Sequence, residues 1–151
     1  MTPRRRLLLA ATAVLALALP ACGAQAAETG SAADAKAMLD RAVVAIKADK
    51  PAALTKFIKG EDGFRDRDLY VFCAVPNGTV VAHPTRLGEN LTTEADKNGK
   101  QFGLQILRTA QDGIVSEIAY MWPRPGIPGP VPKHTYYTKV NGLICGVGYY
   151  L

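Results

Sequence analysis

The chain has 151 residues, 18 Lys and Arg against 13 Asp and Glu, and a formal net charge of +5. Three of those positive charges are Arg4, Arg5 and Arg6, which leaves about +2 for the rest and no basic patch of the kind that holds nucleic acid. After the N-terminal apolar run, nothing stays apolar for long enough to span a bilayer.

The three arginines and the apolar run Leu7 to Leu19 have the proportions of a secretory leader. Ala24-Gln25-Ala26 is a small-residue cleavage site, so residues 1–26 are expected to be removed before Ala27. Leu19-Pro20-Ala21-Cys22 also resembles a lipoprotein box, and a lipid anchor at Cys22 is the alternative. The expected location is therefore periplasmic or secreted. What remains is about 125 residues, one domain by length. Either route takes Cys22 out of account and leaves Cys73 and Cys145 as a pair in an oxidising compartment, where a disulfide persists. A bridge over that separation is worth about 4 kcal/mol in the chain-entropy account. Two buried thiols are the alternative.

Residues 27–33 are small and polar and read as a flexible tether. Ala35, Met38, Leu39, Ala42, Val43 and Ile46 then recur at helical spacing, with Asp34 as candidate N-cap. Lys50-Pro51 should bend or break this helix, and Lys59-Gly60 should end it, giving one bent helix or two short ones over 34–59. Gly60 to Asp68 is charged and turn-like. Glu61, Asp62, Asp66 and Asp68, broken by Arg65 and Arg67, read as a solvated, self-paired cluster.

Leu69 to Val75 has strong strand composition. Asn77-Gly78 signals a hairpin, and Val80 to His83 is expected to pair back before Pro84 ends it. Thr85 to Gly99 is a polar loop, and Phe102, Ile106 and Leu107 suggest a helix over 100–110. A strand over 114–122, a Pro/Gly loop over 123–132 and a strand over 134–140 follow. Asn141-Gly142, a second hairpin signal, leads into a last strand over 143–150. Five antiparallel strands with the helices segregated to one side make an α+β arrangement.

The C-terminal part concentrates the chemistry. Arg124 and Lys133 flank the Pro/Gly loop, and a carboxylate needs charge-assisted donors of that kind. Tyr120 and Trp122 share a strand face by the two-residue period and are candidate walls. Tyr70 and Tyr149, on strands expected to be neighbours, could close a polar end. His83, at a strand end, is a pH-sensitive donor or the holder of a loop; His134 is expected to be exposed. Two separate histidines without Cys-x-x-Cys or clustered acids do not make a metal site, and no cofactor motif is present. Nor is there a nucleophile elbow or a phosphate loop, so the pattern favours binding over catalysis.

Leu69-Tyr70-Val71-Phe72, Asn77-Gly78-Thr79-Val80-Val81-Ala82-His83-Pro84, Tyr120-Met121-Trp122-Pro123-Arg124-Pro125, Pro132-Lys133 with Tyr136, and Gly146-Val147-Gly148-Tyr149 together resemble the single Cache domain, an extracytoplasmic PAS-like sensing module. The resemblance covers about residues 34 to 150. It implies a long N-terminal helix packed on a five-stranded antiparallel PAS-like sheet, with a ligand pocket on the opposite face. It adds Tyr136 to the candidate ligand-binding residues. Its central first and last strands would bring Cys73 and Cys145 together. Members with similar motifs bind small carboxylates such as acetate, propionate, pyruvate or lactate. The chain is thus expected to be a free-standing secreted member that binds a small organic anion over 34–151. It would act through a sensor kinase, chemoreceptor or transporter. The alternative is an envelope protein-interaction module without a small ligand.

Overall fold

A computed structural model describes residues 29–151. The expected leader and the start of the tether lie outside the described residues. Among those described, no helix is long and apolar enough to cross a membrane.

Helix α1 spans Ala32–Ala48 and begins three residues earlier than the candidate cap predicts. Ser31 is the N-cap: its hydroxyl accepts from Asp34 N at 3.1 Å, while the Asp34 carboxylate accepts from Ser31 N at 3.0 Å. This reciprocal capping box puts Asp34 in the first turn, where its charge also suits the helix dipole. The periodic positions Ala35, Met38, Leu39, Ala42 and Ile46 are buried. Asp49 ends α1 and caps α2, Lys50–Lys59, through its carboxylate and Ala52 N. The segment is two helices, with Pro51 in the first turn of the second, where a missing N–H costs nothing. Gly60, at φ 71°, supplies the left-handed residue that closes α2.

The sheet holds six antiparallel strands: β1 Arg65–Asp66, β2 Leu69–Ala74, β3 Val80–Ala82, β4 Ser116–Pro123, β5 Pro130–Val140 and β6 Leu143–Tyr150. The path runs β2-β6-β5-β4, and both β1 and β3 pair with β2. The first long strand and the last are central neighbours, and Cys73 pairs in register with Cys145 and is bonded to it. Two differences from the sequence reading stand out. The two-residue β1 lies in the segment read as turn-like. Strand β5 starts at Pro130, so the ladder consumes part of the Pro/Gly loop up to Pro123↔Pro130. Proline is tolerated at that open end because no inward N–H is needed there. The Asn141-Gly142 turn has φ of 46° and 77°, the doubly left-handed geometry that two-residue hairpins favour.

One face of the sheet packs on α1 and α2 through Leu69, Val71, Cys73, Cys145, Val147 and Tyr149. The other face is covered by α3, Phe102–Thr109, and by the 85–99 loop with its short 3-10 turn, Leu91–Thr93. Phe102, Ile106, Ile118, Tyr137 and Ile144 make the core on that side.

A candidate anion site under the 85–99 loop

The face away from α1 and α2 is not filled. A small hollow of about 40 Å³ lies among Tyr70, Phe72, His83, Arg86, Phe102, Tyr120 and Trp122. A wider groove of about 240 Å³ adjoins it, sharing Tyr70, His83, Arg86 and Trp122 and reaching Asp68 and Tyr150. The roof is fixed at both ends. Gly103 lies so close to Leu91 that a Cβ would fall 1.9 Å from the Leu91 carbonyl oxygen. The Asp96 carboxylate accepts from Met121 N and Lys100 N, which ties the loop to β4.

Lys133 lines neither hollow itself but bonds Tyr70, which lines both. It projects from β5 and crosses β6 above Gly148, where a Cβ would lie 2.4 Å from Lys133 Cε. The glycine is what lets the ammonium reach β2. Lys133 Nζ donates to Tyr70 Oη at 3.0 Å and to Tyr150 Oη at 3.4 Å, and lies 4.8 and 4.6 Å from those ring centroids. Only 2 % of the residue is exposed. Among the described residues no carboxylate lies within ion-pair distance of it. Tyr150 Oη donates its own hydrogen bond to the Pro123 carbonyl at 2.7 Å. Tyr70 accepts from the lysine and, among the described residues, donates to nothing. Burial raises the Tyr150 phenol, so its hydroxyl stays protonated beside the lysine.

His83 stacks obliquely on Tyr70, with centroids 4.7 Å apart. Its Nδ1 accepts from Thr85 N at 3.0 Å and Arg86 N at 3.1 Å, which puts the proton on Nε2. Burial, then the charges of Arg86 and Lys133, push its pKa down to about 4, so the ring is neutral near pH 7. It both holds the loop and keeps a free donor nitrogen.

Tyr120 stacks face to face on Phe102 at 3.9 Å and bonds Thr135 through its hydroxyl at 2.9 Å. Burial pushes its phenol up. Trp122 stands edge-on to Phe102, and the Arg86 guanidinium lies 5.1 Å above its ring. Arg124 packs over Tyr150 at 5.7 Å and places Nε 3.4 Å from Asp68 Oδ2. It braces the groove from behind.

The structure therefore brings Tyr70, His83, Tyr120, Trp122 and Lys133 together, with Arg124 at the margin. Tyr136 and Tyr149 are not among them. They lie on the helix-covered face, with rings 5.5 Å apart, and Tyr149 donates to Glu117 Oε1 at 2.7 Å. His134, expected to be exposed, meets the same oxygen through Nδ1 at 2.8 Å and is 27 % exposed.

Three residues that line the groove have no signal in the sequence. Arg86, in the polar loop, holds both Glu89 and the largely buried Glu94. Tyr150 is one residue from the tyrosine that was chosen. Asp68 was assigned to the solvated cluster, yet its side chain is only 11 % exposed. Asp66 pairs within the cluster, with Arg67, while Asp62 turns to Lys56 of α2. Among the described residues, no group of His, Cys, Asp and Glu could hold a metal ion.

A helix pair on one face of a central-strand antiparallel sheet, with a roofed hollow on the other, defines a PAS-like ligand-binding module. The sequence signature of the Single Cache domain 2 family matches residues 12–151, and the chain belongs to that family of sensor domains. Solved structures share the fold. A methyl-accepting chemotaxis protein from Vibrio parahaemolyticus RIMD 2210633 is 24 % identical, with a TM-score of 0.63 over 78 % of this chain and 86 % of that one. A periplasmic sensor domain of a chemotaxis protein is 24 % identical, with a TM-score of 0.59 over 77 % and 87 %. A Cache chemosensory domain described for carboxylic acid recognition is 22 % identical, with a TM-score of 0.53 over 77 % and 85 %. No curated protein sequence matches the chain.

Proposed function

We propose that this domain binds a small organic anion, a short-chain carboxylate, outside the cytoplasm and reports occupancy to a partner protein. The carrying observation is Lys133: an ammonium group 2 % exposed, resting on two phenols, with no carboxylate partner among the described residues. A buried charge of that kind is expensive to hold unless an opposite charge arrives. Tyr70 and His83 line both hollows, and the Tyr70 hydroxyl and the His83 Nε2–H are donors that can orient the anion. Phe102, Tyr120 and Trp122 keep bulk water from it.

The chemistry is recognition, with no catalytic step. Arg86 is already shared by two glutamates, so it shapes the hollow more than it attracts anions. The N-terminal leader and the Cys73–Cys145 bond suit an oxidising envelope compartment. The carboxylate recognition described for one structural relative agrees with the ligand class. A sensor kinase, chemoreceptor or transporter is the partner this reading calls for.

The test is a thermal-shift and calorimetric panel of C2 to C4 carboxylates. At least one acid should raise the melting temperature of the parent protein, and Lys133→Ala should abolish that shift. If no acid shifts it, the domain is not an organic-anion receptor.

A further inference from the structure

The roof leaves the end of β3 through a short flap, residues 84–87, and His83 holds that flap by one atom. Nδ1 accepts from Thr85 N at 3.0 Å and from Arg86 N at 3.1 Å. Beyond the flap the chain is tied down again: Gly88 N donates to Val80 O at 2.9 Å, and Val80 N to Glu89 O at 2.8 Å. Arg86 is thus held at two points, its backbone by His83 and its guanidinium by Glu89 and Glu94. Arg86 lines both the small hollow and the wider groove. Its guanidinium lies 5.1 Å above the ring of Trp122, which lines both as well.

An imidazole accepts at Nδ1 only while that nitrogen is unprotonated; an imidazolium donates from both nitrogens and accepts at neither. A proton on Nδ1 sets three donors against one another with no acceptor among them. Thr85 is exposed, so its N–H turns to water once released. The new charge also repels the Arg86 guanidinium, which together with Lys133 on β5 already opposes it; the Glu89 carboxylate favours it. Tyr70 on β2 stacks on the ring, and Arg65, Arg67 and Asp68 from the β1–β2 segment and Tyr150 from β6 line the same groove. Arg67 is engaged by Asp34 and Asp66, and Asp68 by Arg124. With burial leading and the two cations adding to it, the ring titrates only at about 4, so the flap is held at neutral pH.

We propose that His83 is an acid-sensitive latch on the site. With Nδ1 free it holds residues 84–87 down, and Arg86 stands between the hollow and the groove. Protonation releases the flap, swings Arg86 off Trp122 and joins the two spaces into one open cleft. The latch regulates access to the site of the carboxylate reading and rests on that reading for its purpose, while the movement itself needs no ligand. A released histidine returns toward its ordinary value of 6.5, so the open form takes up the proton more readily than the closed one. Opening is therefore favoured as the pH falls from 6.5 toward 4, by about ten- to thirtyfold after allowance for partial solvent access.

The experiment uses Trp122, the single tryptophan of the chain, as reporter. Acrylamide quenching of its fluorescence is followed on the purified, ligand-free protein from neutral pH down to about 4, with far-UV circular dichroism alongside. The quenching constant of the parent should rise about twofold or more over that range while the circular dichroism stays constant. His83→Asn, whose amide oxygen can replace Nδ1 as in an Asx turn but does not titrate, should stay protected throughout. His83→Phe keeps a ring against Tyr70 and has no acceptor, so at neutral pH it should be quenched as readily as the acidified parent. If His83→Asn follows the acid profile of the parent, the change belongs to Glu89 and Glu94, and the latch fails. Equal protection of His83→Phe and the parent at neutral pH overturns it too, whether or not the parent survives acid. A parent whose quenching stays flat down to that pH defeats it outright. Failure of every carboxylate to bind removes the receptor reading and leaves these outcomes as they stand.

Discussion

On the helix-covered face of the sheet, aliphatic side chains, a disulfide and a tyrosine pair pack between strands and helices. On the opposite face, the same strands present two glycines, a lysine and a row of aromatics to a roof that packs on part of them and leaves a small hollow over the rest. Gly146 and Gly148 leave that surface low, and a Cβ at Gly146 would strike Phe72 at 2.8 Å. The contrast shows how one sheet divides its labour. The larger buried core lies on the helix-covered face, while the other face holds a smaller core beside a buried lysine.

That division can be broken most sharply at Phe57. It is fully buried between α1, α2 and the sheet, edge-on to Phe64 at 4.6 Å. Phe57→Ala should lower stability by about 3–5 kcal/mol in denaturant titrations. Ligand affinity measured below the new transition should not change. A loss of affinity in the still-folded variant would mean that the two faces are coupled.

Lys133→Met should do the reverse. Removing a buried ammonium that has no carboxylate partner among the described residues relieves desolvation, so the unliganded protein should be at least as stable as the parent. Affinity for the ligand carboxylate should fall by about 2–5 kcal/mol, thirtyfold or more, as expected for truncating one partner of a buried charge pair. A marked drop in unliganded stability would mark Lys133 as a structural residue.

His83 gives a smaller effect, readable against pH. Its folded pKa, near 4, lies below the ordinary histidine value of 6.5 because of burial and then of Arg86 and Lys133. Between those values the unfolded chain binds a proton that the folded one does not. Stability is therefore full above pH 6.5 and falls as the pH drops toward 4. With allowance for partial solvent access, the loss is about 1–2 kcal/mol. His83→Gln should flatten that segment of the stability profile; an unchanged slope would place the titration elsewhere.

The sequence made the elements legible because each carries local chemistry: the i, i+4 face of α1, Pro51 and Gly60 as punctuation, and two Asn-Gly turns. The two-residue period of β4 also puts Tyr120 and Trp122 on one face, whereas Lys133 is singled out by its place beside the Pro/Gly loop and His83 by its strand end. On β6 this fails. All eight residues from Leu143 to Tyr150 are buried, because one face meets helices and the other meets the roof. With both sides covered, alternation carries no signal, and Tyr149 and Tyr150 cannot be told apart without the register of β5 against β6. Arg86 and Asp68 were hidden for another reason. Both sit in charged loops with no period, and only tertiary packing decides which loop charges are drawn inward.

The mildest test turns on that single-residue choice. Tyr149 donates to Glu117, which in turn meets His134; the Tyr149 bond, then the histidine, hold the Glu117 carboxyl below its usual range. Tyr149→Phe removes a hydroxyl from the packed face and leaves the ring stack with Tyr136 in place. It should cost about 1 kcal/mol of stability and leave ligand affinity unaltered. Tyr150→Phe, one residue on, frees the Pro123 carbonyl and removes an acceptor from Lys133, so affinity should fall. If instead Tyr149→Phe weakened binding and Tyr150→Phe did not, the register of β6 would assign the wrong tyrosine to the hollow, and the separation of the two faces would fail.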